Sequence, residues 1–188
     1  MIKVPRDINP NITSTPRILW VTLLCLLFSV HSPAQSSREY AIKAAFLYNF
    51  TQFIEWPATT FATSDAPFVI GVLGEDPFHS SLDEAVAGEK VNDHPIVIQR
   101  YQNAKDIKSC HILFISRKES GKLREILASL PAKNILTVSD IPDFASAGGI
   151  IRFMTVENKI KLQINLPASK MADLNISSKL LQVADIVR

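Results

Sequence analysis

Downstream of residue 34, the side chains that could bind a metal or act as nucleophile and base are His79, His94, His111 and Cys110. Only Cys110 and His111 are close in sequence, and neighbouring residues on a strand point to opposite faces. Their spacing therefore predicts neither a zinc site nor a Cys–His enzyme. Cys110 begins the apolar run CHILFI and is expected to be a buried small hydrophobe, with an intermolecular disulfide or a reactive thiol as the alternatives.

The loop GVLGED, residues 71–76, stands where a dinucleotide-binding loop would lie, after a predicted strand and before a predicted helix. It lacks the three-glycine pattern of such loops, and Glu75 and Asp76 would repel a pyrophosphate at the helix start. The sequence therefore predicts a structural turn here and no nucleotide cofactor.

Asp140 and Asp143 follow another predicted strand, at the edge where α/β folds often place active groups. The same stretch, SDIPDF, also fits a helix start, with Ser139 or Asp140 as the cap and Pro142 in the first turn. We favour the capping role. With no catalytic constellation elsewhere in the pattern, the sequence predicts a protein that is not an enzyme and has no metal or cofactor.

The clearest element that could position a site is a β-hairpin predicted over residues 148–166. Its apolar and polar residues alternate with the period of a strand, and Glu157 and Asn158 form the turn. Pairing Val156 with Lys159 gives the opposite pairs Ile151–Ile164, Phe153–Leu162, Arg152–Gln163 and Met154–Lys161. The first two pairs belong to an apolar face and the last two to a polar face.

Residues 1–34 predict a cleaved signal peptide, with a basic region, the apolar run Ile18–Val30 and small residues up to Ala34. The alternatives are an uncleaved anchor and a lipoprotein signal at Cys25, although Leu24 is larger than the residue that usually precedes such a cysteine. Residues 35–188 then form one domain exported to the periplasm. This domain has as many basic as acidic residues and no basic run, which argues against nucleic-acid binding.

The remaining pattern alternates strands and helices. A helix over residues 36–55 has a capping box at Ser36 and Glu39, and a second capping box at Ser116 and Glu119 begins another helix. Buried strands are predicted over residues 67–73, 95–101, 110–115 and 134–138, and further helices over 78–87 and 177–187. We expect an α/β fold: a single compact domain with a mixed central sheet covered by helices on both faces, and a C-terminal β-hairpin followed by a helix.

Trp56 lies at the end of the first predicted helix, close to Phe53, Ile54 and Phe61. An aromatic residue in this position either packs against the core or forms part of a hydrophobic interaction surface. The sequence alone leaves both roles open.

Seven ordered blocks, spanning Tyr40 to Val187, resemble the YfiR-like family of exported bacterial proteins. The blocks are AFLYNFTQFIEWP, FVIGVLGEDPF, CHILFIS, ILTVSD, GGIIRF, KLQINL and ISSKLLQVA. The resemblance implies a periplasmic homodimer without catalysis that represses an inner-membrane diguanylate cyclase, or a sensor kinase, by holding its periplasmic domain. An outer-membrane lipoprotein is a further expected partner, and cyclic-di-GMP signalling and biofilm formation are the expected outputs.

The repressor surface of that family matches Ile151, Phe153 and Gln163 in this chain. The predicted partner-binding residues are Ile151, Arg152, Phe153, Lys161, Gln163 and Trp56. Ile151 and Phe153 are expected to act through packing, whereas Arg152 and Gln163 would meet the partner directly. Characterised relatives carry paired cysteines, but the domain has Cys110 alone, which excludes redox control by an internal disulfide.

Two other classes of function compete with the regulator. A small-molecule binding module would use a cleft at the carboxyl ends of the strands. An enzyme would need a cluster of perturbed carboxylates or histidines in one cleft. A structural or adhesive role would need neither.

Overall fold

The computed structural model describes residues 33–61, 63–130 and 133–187. Residues 1–32 of the predicted signal peptide lie outside these ranges, and the chain from Ser36 onward forms one compact unit. Within the described ranges, no helix combines the length and the apolar character needed to cross a bilayer.

The described α-helices are α1 (Pro33–Phe53), α2 (Ser81–Val86), α3 (Leu123–Ser129), α4 (Leu166–Met171) and α5 (Ser178–Leu181). The described strands are β1 (Ile54–Glu55), β2 (Phe68–Leu73), β3 (Lys90–Val91), β4 (His94–Tyr101), β5 (Ile112–Ile115), β6 (Leu136–Ser139), β7 (Ile151–Val156), β8 (Lys159–Asn165), β9 (Asn175–Ile176) and β10 (Ala184–Val187). Short 3₁₀ turns occupy Ala58–Thr60, Ala104–Asp106 and Arg117–Lys122.

The main sheet has the strand order β10-β8-β7-β6-β5-β2-β4-β3, and β1 pairs with β9 in a separate two-stranded sheet. Strands β4, β2, β5, β6 and β7 run parallel, β8 is antiparallel to β7, and β10 is parallel to β8. Because β2 lies between β4 and β5, the chain reverses its direction of travel across the sheet at β2, which is a topological switch point.

Helices cover both faces of this sheet. On one face, Phe68, Ile70 and Val72 of β2 pack in a core with Leu47 and Phe50 of α1. On the other face, the alternate β2 residues pack in a second core that includes Leu123 and Ile126 of α3. The mixed sheet, the helices on both faces and the hairpin followed directly by helix α4 confirm the predicted fold class.

Two predicted helix starts are wrong. Helix α1 begins at Pro33, so Ser36 lies inside it, and Glu39 binds Lys43 rather than closing a capping box. Ser116 precedes a 3₁₀ turn, and its side chain makes no capping hydrogen bond. Both motifs match the residue types of a capping box, but neither pair makes the reciprocal hydrogen bonds of one.

The predicted closing helix over residues 177–187 is also wrong in its second half. Helix α5 ends at Leu181, and Ala184–Val187 adds to β8 as strand β10. The alternation of half-buried Ala184 and Ile186 with exposed Asp185 has the period of a strand, which the helix assignment overlooked.

Candidate functional site

The C-terminal hairpin is formed by β7 and β8 with the predicted two-residue turn. Glu157 and Asn158 have φ angles of 50° and 59°, the left-handed pair that a type I′ turn requires. The ladder runs from Ile151 opposite Ile164 to Val156 opposite Lys159, so the predicted register and the assignment of faces are confirmed.

One face of the hairpin is fixed to the core. Ile151 is fully buried and Phe153 is 2% exposed. The Phe153 ring is stacked on Phe50 of α1, with centroids 6.0 Å apart and planes 17° apart, and its centroid is 5.9 Å from that of Phe46. In the folded domain, Ile151 and Phe153 can therefore influence a partner only through packing, which remains a prediction.

The opposite face is uncovered, and we call Arg152, Met154, Lys161, Gln163 and Asp185 the open face. Arg152 lies opposite Gln163, Met154 lies opposite Lys161, and Asp185 of β10 lies beside Gln163. Arg152, Met154 and Gln163 are half-buried, and Lys161 and Asp185 are exposed. This part of the sheet contrasts with β5, whose side chains are buried on both faces.

Arg152 carries a donor that its own fold does not use. Its Nε atom is buried, yet no other described residue accepts a hydrogen bond from it. An unpaired buried donor costs free energy, so Arg152 is held in place at a cost to the fold. Lys159 is two residues before Lys161 in β8 and therefore lies on the same side of the strand, where it adds to the positive charge beside the open face.

Beneath the other side of the hairpin lies a group of polar side chains around one buried charge pair, Lys43 and Asp140. We call the group the ion cluster: Glu39, Tyr40, Lys43, Arg117 and Asp140. The Lys43 Nζ atom is 2.6 Å from both Glu39 Oε1 and Asp140 Oδ2. Tyr40 Oη donates to Asp140 Oδ2 at 2.8 Å, and Arg117 Nη2 lies 3.2 Å from the same atom. The cluster joins α1 to the ends of β5 and β6.

The charges in this cluster compensate one another. Burial raises the pKa of Asp140, but the hydrogen bond and positive charge of Lys43, assisted by Tyr40 and Arg117, outweigh burial and hold that pKa below its usual range. The side chains of Lys43 and Asp140 are each 1% exposed, so neither is accessible to a substrate. The prediction that Ser139 or Asp140 caps a helix is wrong, because Asp140 binds Lys43 instead and the chain after it forms turns.

The ion cluster is connected to the hairpin. Thr155 of β7 donates from Oγ1 to Glu39 Oε1 at 3.1 Å, and Glu39 in turn binds Lys43. Sequence reasoning missed Lys43 because a lysine in a helix is usually exposed. The one available signal was its i,i+4 spacing from Glu39.

Trp56 lies elsewhere in the molecule. Its half-buried ring meets Phe68 edge-on at 5.0 Å, and Nε1 donates to the carbonyl of His111 at 3.3 Å. Phe68 is the first residue of β2, and His111 directly precedes β5, so both lie at the amino edge of the sheet. The hairpin begins at the opposite edge, where Ile151 and Arg152 pair with the last two residues of β6. The structure therefore does not bring Trp56 to the open face, and packing against the core is the role it supports.

Cys110 is buried, and its Sγ lies 3.0 Å from the carbonyl oxygen of Ile112. Burial raises the pKa of the Cys110 thiol to about 12. The thiol is therefore protonated at neutral pH and behaves as the predicted small hydrophobe. Among the described residues, no three His, Cys, Asp or Glu side chains are grouped so that they could hold a metal ion.

A cleft of about 350 Å³ opens at the carboxyl edge of the sheet, near the switch point. Leu73 and Ile126 provide apolar surface, and Lys105, Lys122 and Glu119 contribute charge. The position agrees with the general location of ligand sites in open α/β sheets.

Among solved structures, a conserved domain protein from Vibrio cholerae O1 biovar El Tor is similar in fold. It aligns with a TM-score of 0.52 and 10% identity, over 79% of this chain and 60% of that chain, so this chain spans less than two thirds of the neighbour's length. At this identity the likeness concerns the fold alone. No curated protein sequence matches the chain.

The sequence profile of the YfiR/HmsC-like family matches residues 40–185, which is most of the chain. The match includes the ion cluster apart from Glu39, both strands of the hairpin and the open face. The family is one of periplasmic regulators of diguanylate cyclases. The protein belongs to the YfiR/HmsC-like family.

Proposed function

We propose that this protein is a periplasmic regulator that binds and represses the periplasmic sensor domain of an inner-membrane diguanylate cyclase through the open face. The observation that supports this most directly is a section of sheet that is left uncovered on one side while its reverse side is locked to α1. Family membership supplies the class of partner.

The anchoring of the hairpin suits such an interface. Phe153 packs against Phe50 and Phe46, and Thr155 binds Glu39, so the strands that carry the open face are held in place before a partner arrives. A preorganised surface loses less conformational entropy on binding than a flexible one. The partner can therefore be held with a modest contact area.

The charges of the open face define the partner surface. Arg152, Lys161 and Lys159 favour a partner that presents carboxylates or backbone carbonyls, and Met154 provides an adaptable apolar contact between them. Asp185 would repel a carboxylate placed directly over β10. The complementary surface is therefore acidic over the hairpin and neutral or basic over β10.

The remaining parts of the proposal concern export and assembly. Cleavage after Ala34 releases a domain of residues 35–188 into the periplasm, where it forms a homodimer. An outer-membrane lipoprotein competes with the cyclase and relieves repression. The N-terminal sequence pattern and the family support this part of the proposal. A pull-down from membranes would identify the partner.

The test compares charge reversal at two ends of the same sheet. Lys161→Glu places a negative charge on the open face, whereas Lys90→Glu makes the same change at an exposed residue of β3, at the opposite end of the sheet. We expect Lys161→Glu to abolish co-purification with the cyclase and to raise cellular cyclic-di-GMP, while Lys90→Glu behaves as wild type. Equal effects of the two variants would reject the open face as the binding surface.

Stability measurements keep this test specific. Gln163→Ala and Lys161→Glu should each change the free energy of unfolding by less than about 0.5 kcal/mol, because both side chains project from the uncovered side. Gln163→Ala should nevertheless weaken binding.

A small-molecule binding role is the second candidate, and the cleft at the carboxyl edge favours it. A ligand that binds only the folded state raises the thermal midpoint. Lys122→Ala, which alters the cleft lining, should remove a midpoint shift produced by a ligand in this cleft. A panel of periplasmic metabolites that gives no shift with the wild type would remove this candidate.

A further inference from the structure

At the amino edge of the sheet, four rings form a continuous pile that we call the histidine stack: His94, Phe61, His111 and Phe68. The rings of Phe61 and His94 are 3.7 Å apart and within 5° of parallel. Phe61 is also 4.8 Å from His111, which lies 4.5 Å from Phe68 at 24°. His94 and His111 are 9% and 2% exposed, so both imidazoles are almost completely removed from water.

The hydrogen bonds determine where protons reside on His111. The backbone N–H of Val69 donates to His111 Nδ1 at 3.0 Å, so this nitrogen carries a lone pair and the neutral ring has its hydrogen on Nε2. Nε2 is buried and meets no acceptor among the described residues. A second proton must therefore bind Nδ1, and it cannot do so while Val69 donates to that atom.

His94 does not have this conflict. Its Nδ1 lies 2.6 Å from the carbonyl oxygen of Ala66, and a carbonyl can only accept, so Nδ1 carries the hydrogen. A second proton would bind Nε2 and leave the bond to Ala66 intact. Of the two rings, only His111 must break a contact in order to become charged.

Few charges surround the two rings. His94 acts electrostatically on His111, and Asp65, an exposed carboxylate, interacts with His94. Within the described part of the chain, no carboxylate compensates a charge on His111. Burial, and then the neighbouring His94, lower the pKa of His111 to about 4.

Trp56 is attached to the same point. Its Nε1–H donates to the carbonyl of His111, and its ring packs edge-on against Phe68. The backbone N–H of His111 also donates to the carbonyl of Val69 at 2.9 Å. Movement of the His111 ring away from Val69 therefore disturbs two hydrogen bonds of the His111 backbone: the one that its N–H donates to Val69 and the one that its carbonyl accepts from Trp56.

We propose that the histidine stack is an acid-sensitive switch: a proton taken from solvent onto His111 Nδ1 breaks the bond to Val69, separates the ring from Phe61 and releases the Trp56 indole. The switch does not depend on the proposed partner. It makes the conformation around Trp56 respond to the pH of the compartment that contains the domain.

Fluorescence of Trp56 tests the switch. The chain has two tryptophans, so in the full chain carrying Trp20→Phe only Trp56 emits, whether or not the leader has been removed. We expect its emission to shift to longer wavelength with a midpoint between pH 4 and 6.5, while the far-UV circular dichroism stays unchanged over that range. An emission spectrum that is constant over this range would overturn the proposal.

Variants assign the transition to His111. In His111→Asn, the amide oxygen can accept from Val69 N–H but takes up no proton, so the transition should disappear. His79→Asn, the same change at an exposed histidine outside the stack, should retain it. A transition that persists in His111→Asn would contradict the proposal.

A second variant covers the case in which His111→Asn does not fold. His94→Asn removes the neighbouring imidazole whose charge opposes protonation of His111, so the midpoint should move to higher pH. In the wild type, the NMR signals of His111 Nδ1 and of the Val69 amide should titrate together. A fixed midpoint in His94→Asn, or independent titration of the two signals, would reject the switch.

Discussion

At the carboxyl edge of the parallel strands, Lys43 and Asp140 are buried as a charged pair, whereas at the amino edge His111 is buried as a neutral ring. The ion cluster supplies counter-charges to Asp140, so the pKa of that carboxyl stays below its usual range despite burial. The histidine stack surrounds His111 with aromatic rings and one backbone donor, so His111 is neutral at pH 7. The same sheet thus stabilises buried polar groups at one edge by compensation and at the other by excluding charge.

The largest effect that follows from this comparison is expected for Lys43→Met. The substitution preserves the volume and the packing of the stem but leaves Asp140 buried without its main counter-charge. Breaking a buried pair in this way costs about 3–5 kcal/mol. Urea denaturation at pH 7 measures the loss.

The matched control is the double variant Lys43→Met with Asp140→Leu, which removes both charges. It should recover most of the lost stability, because the charges that then lack a partner, Glu39 and Arg117, are both in contact with solvent. If the double variant is as unstable as the single one, the cost comes from packing and compensation is not what stabilises this edge.

The second prediction concerns acid. The pKa of His111 is about 4 in the folded domain and about 6.5 when unfolded, so the unfolded chain binds the extra proton first. The contribution of His111 is fully present above pH 6.5 and is lost as the pH falls to 4, by roughly 3 kcal/mol in total. Because the pKa of Asp140 is depressed, the stability that the ion cluster contributes is lost only in more acidic solution, as the pH falls through and below the range in which carboxyl groups ordinarily titrate.

Urea denaturation at a series of pH values from about 2 to 8 distinguishes the two edges, because the range covers both the His111 and the Asp140 transitions. His111→Asn should flatten the stability profile between pH 6.5 and 4 and leave the more acidic loss in place. A profile that is unaltered by His111→Asn would show that this edge does not control the acid response.

A smaller effect is expected for Trp56→Phe. The substitution keeps an aromatic ring against Phe68 but removes the donor to the His111 carbonyl. Losing one such hydrogen bond costs about 1 kcal/mol, and the thermal midpoint at pH 7 measures it. A loss several times larger would indicate that the indole ring, rather than its N–H, stabilises the amino edge.

The smallest effect is expected for Arg117→Ala. Arg117 belongs to the ion cluster but its side chain is 62% exposed, and solvent screens its attraction to Asp140. The free energy of unfolding should fall by no more than about 0.5 kcal/mol. A loss comparable to that of Lys43→Met would mean that the charge of Asp140 is shared equally between the two cations.

The hairpin and the central strands could be predicted from the sequence because their signals are local. The alternation in β7 and β8 fixes both register and faces, and β5 is an unbroken apolar run. Lys43 and Asp140 could not be paired in advance, since 97 residues separate them and each residue type is usually exposed. Strands β1 and β9 have two residues each, too few for any period to show.

The candidate site was predicted only in part for a similar reason. The pattern distinguished Ile151 and Phe153 from Arg152 and Gln163, but it could not show which part of the sheet would remain without a helix. Trp56 is a candidate from the sequence because it stands at a helix end among Phe53, Ile54 and Phe61, and the structure places it at the other edge. Whether the open face binds a partner stays a prediction.

The contacts of helix α1 have a consequence for how the chain folds. The helix binds partners far along the sequence: Tyr40 and Asp140 are 100 residues apart, and Glu39 and Thr155 are 116 apart. Loop closure over such distances slows folding, so we expect α1 to pack onto the sheet only after the hairpin has formed. A fragment that ends before β7 would leave Phe46 and Phe50 without Phe153, and we expect such truncated chains to aggregate rather than to persist as soluble partial domains.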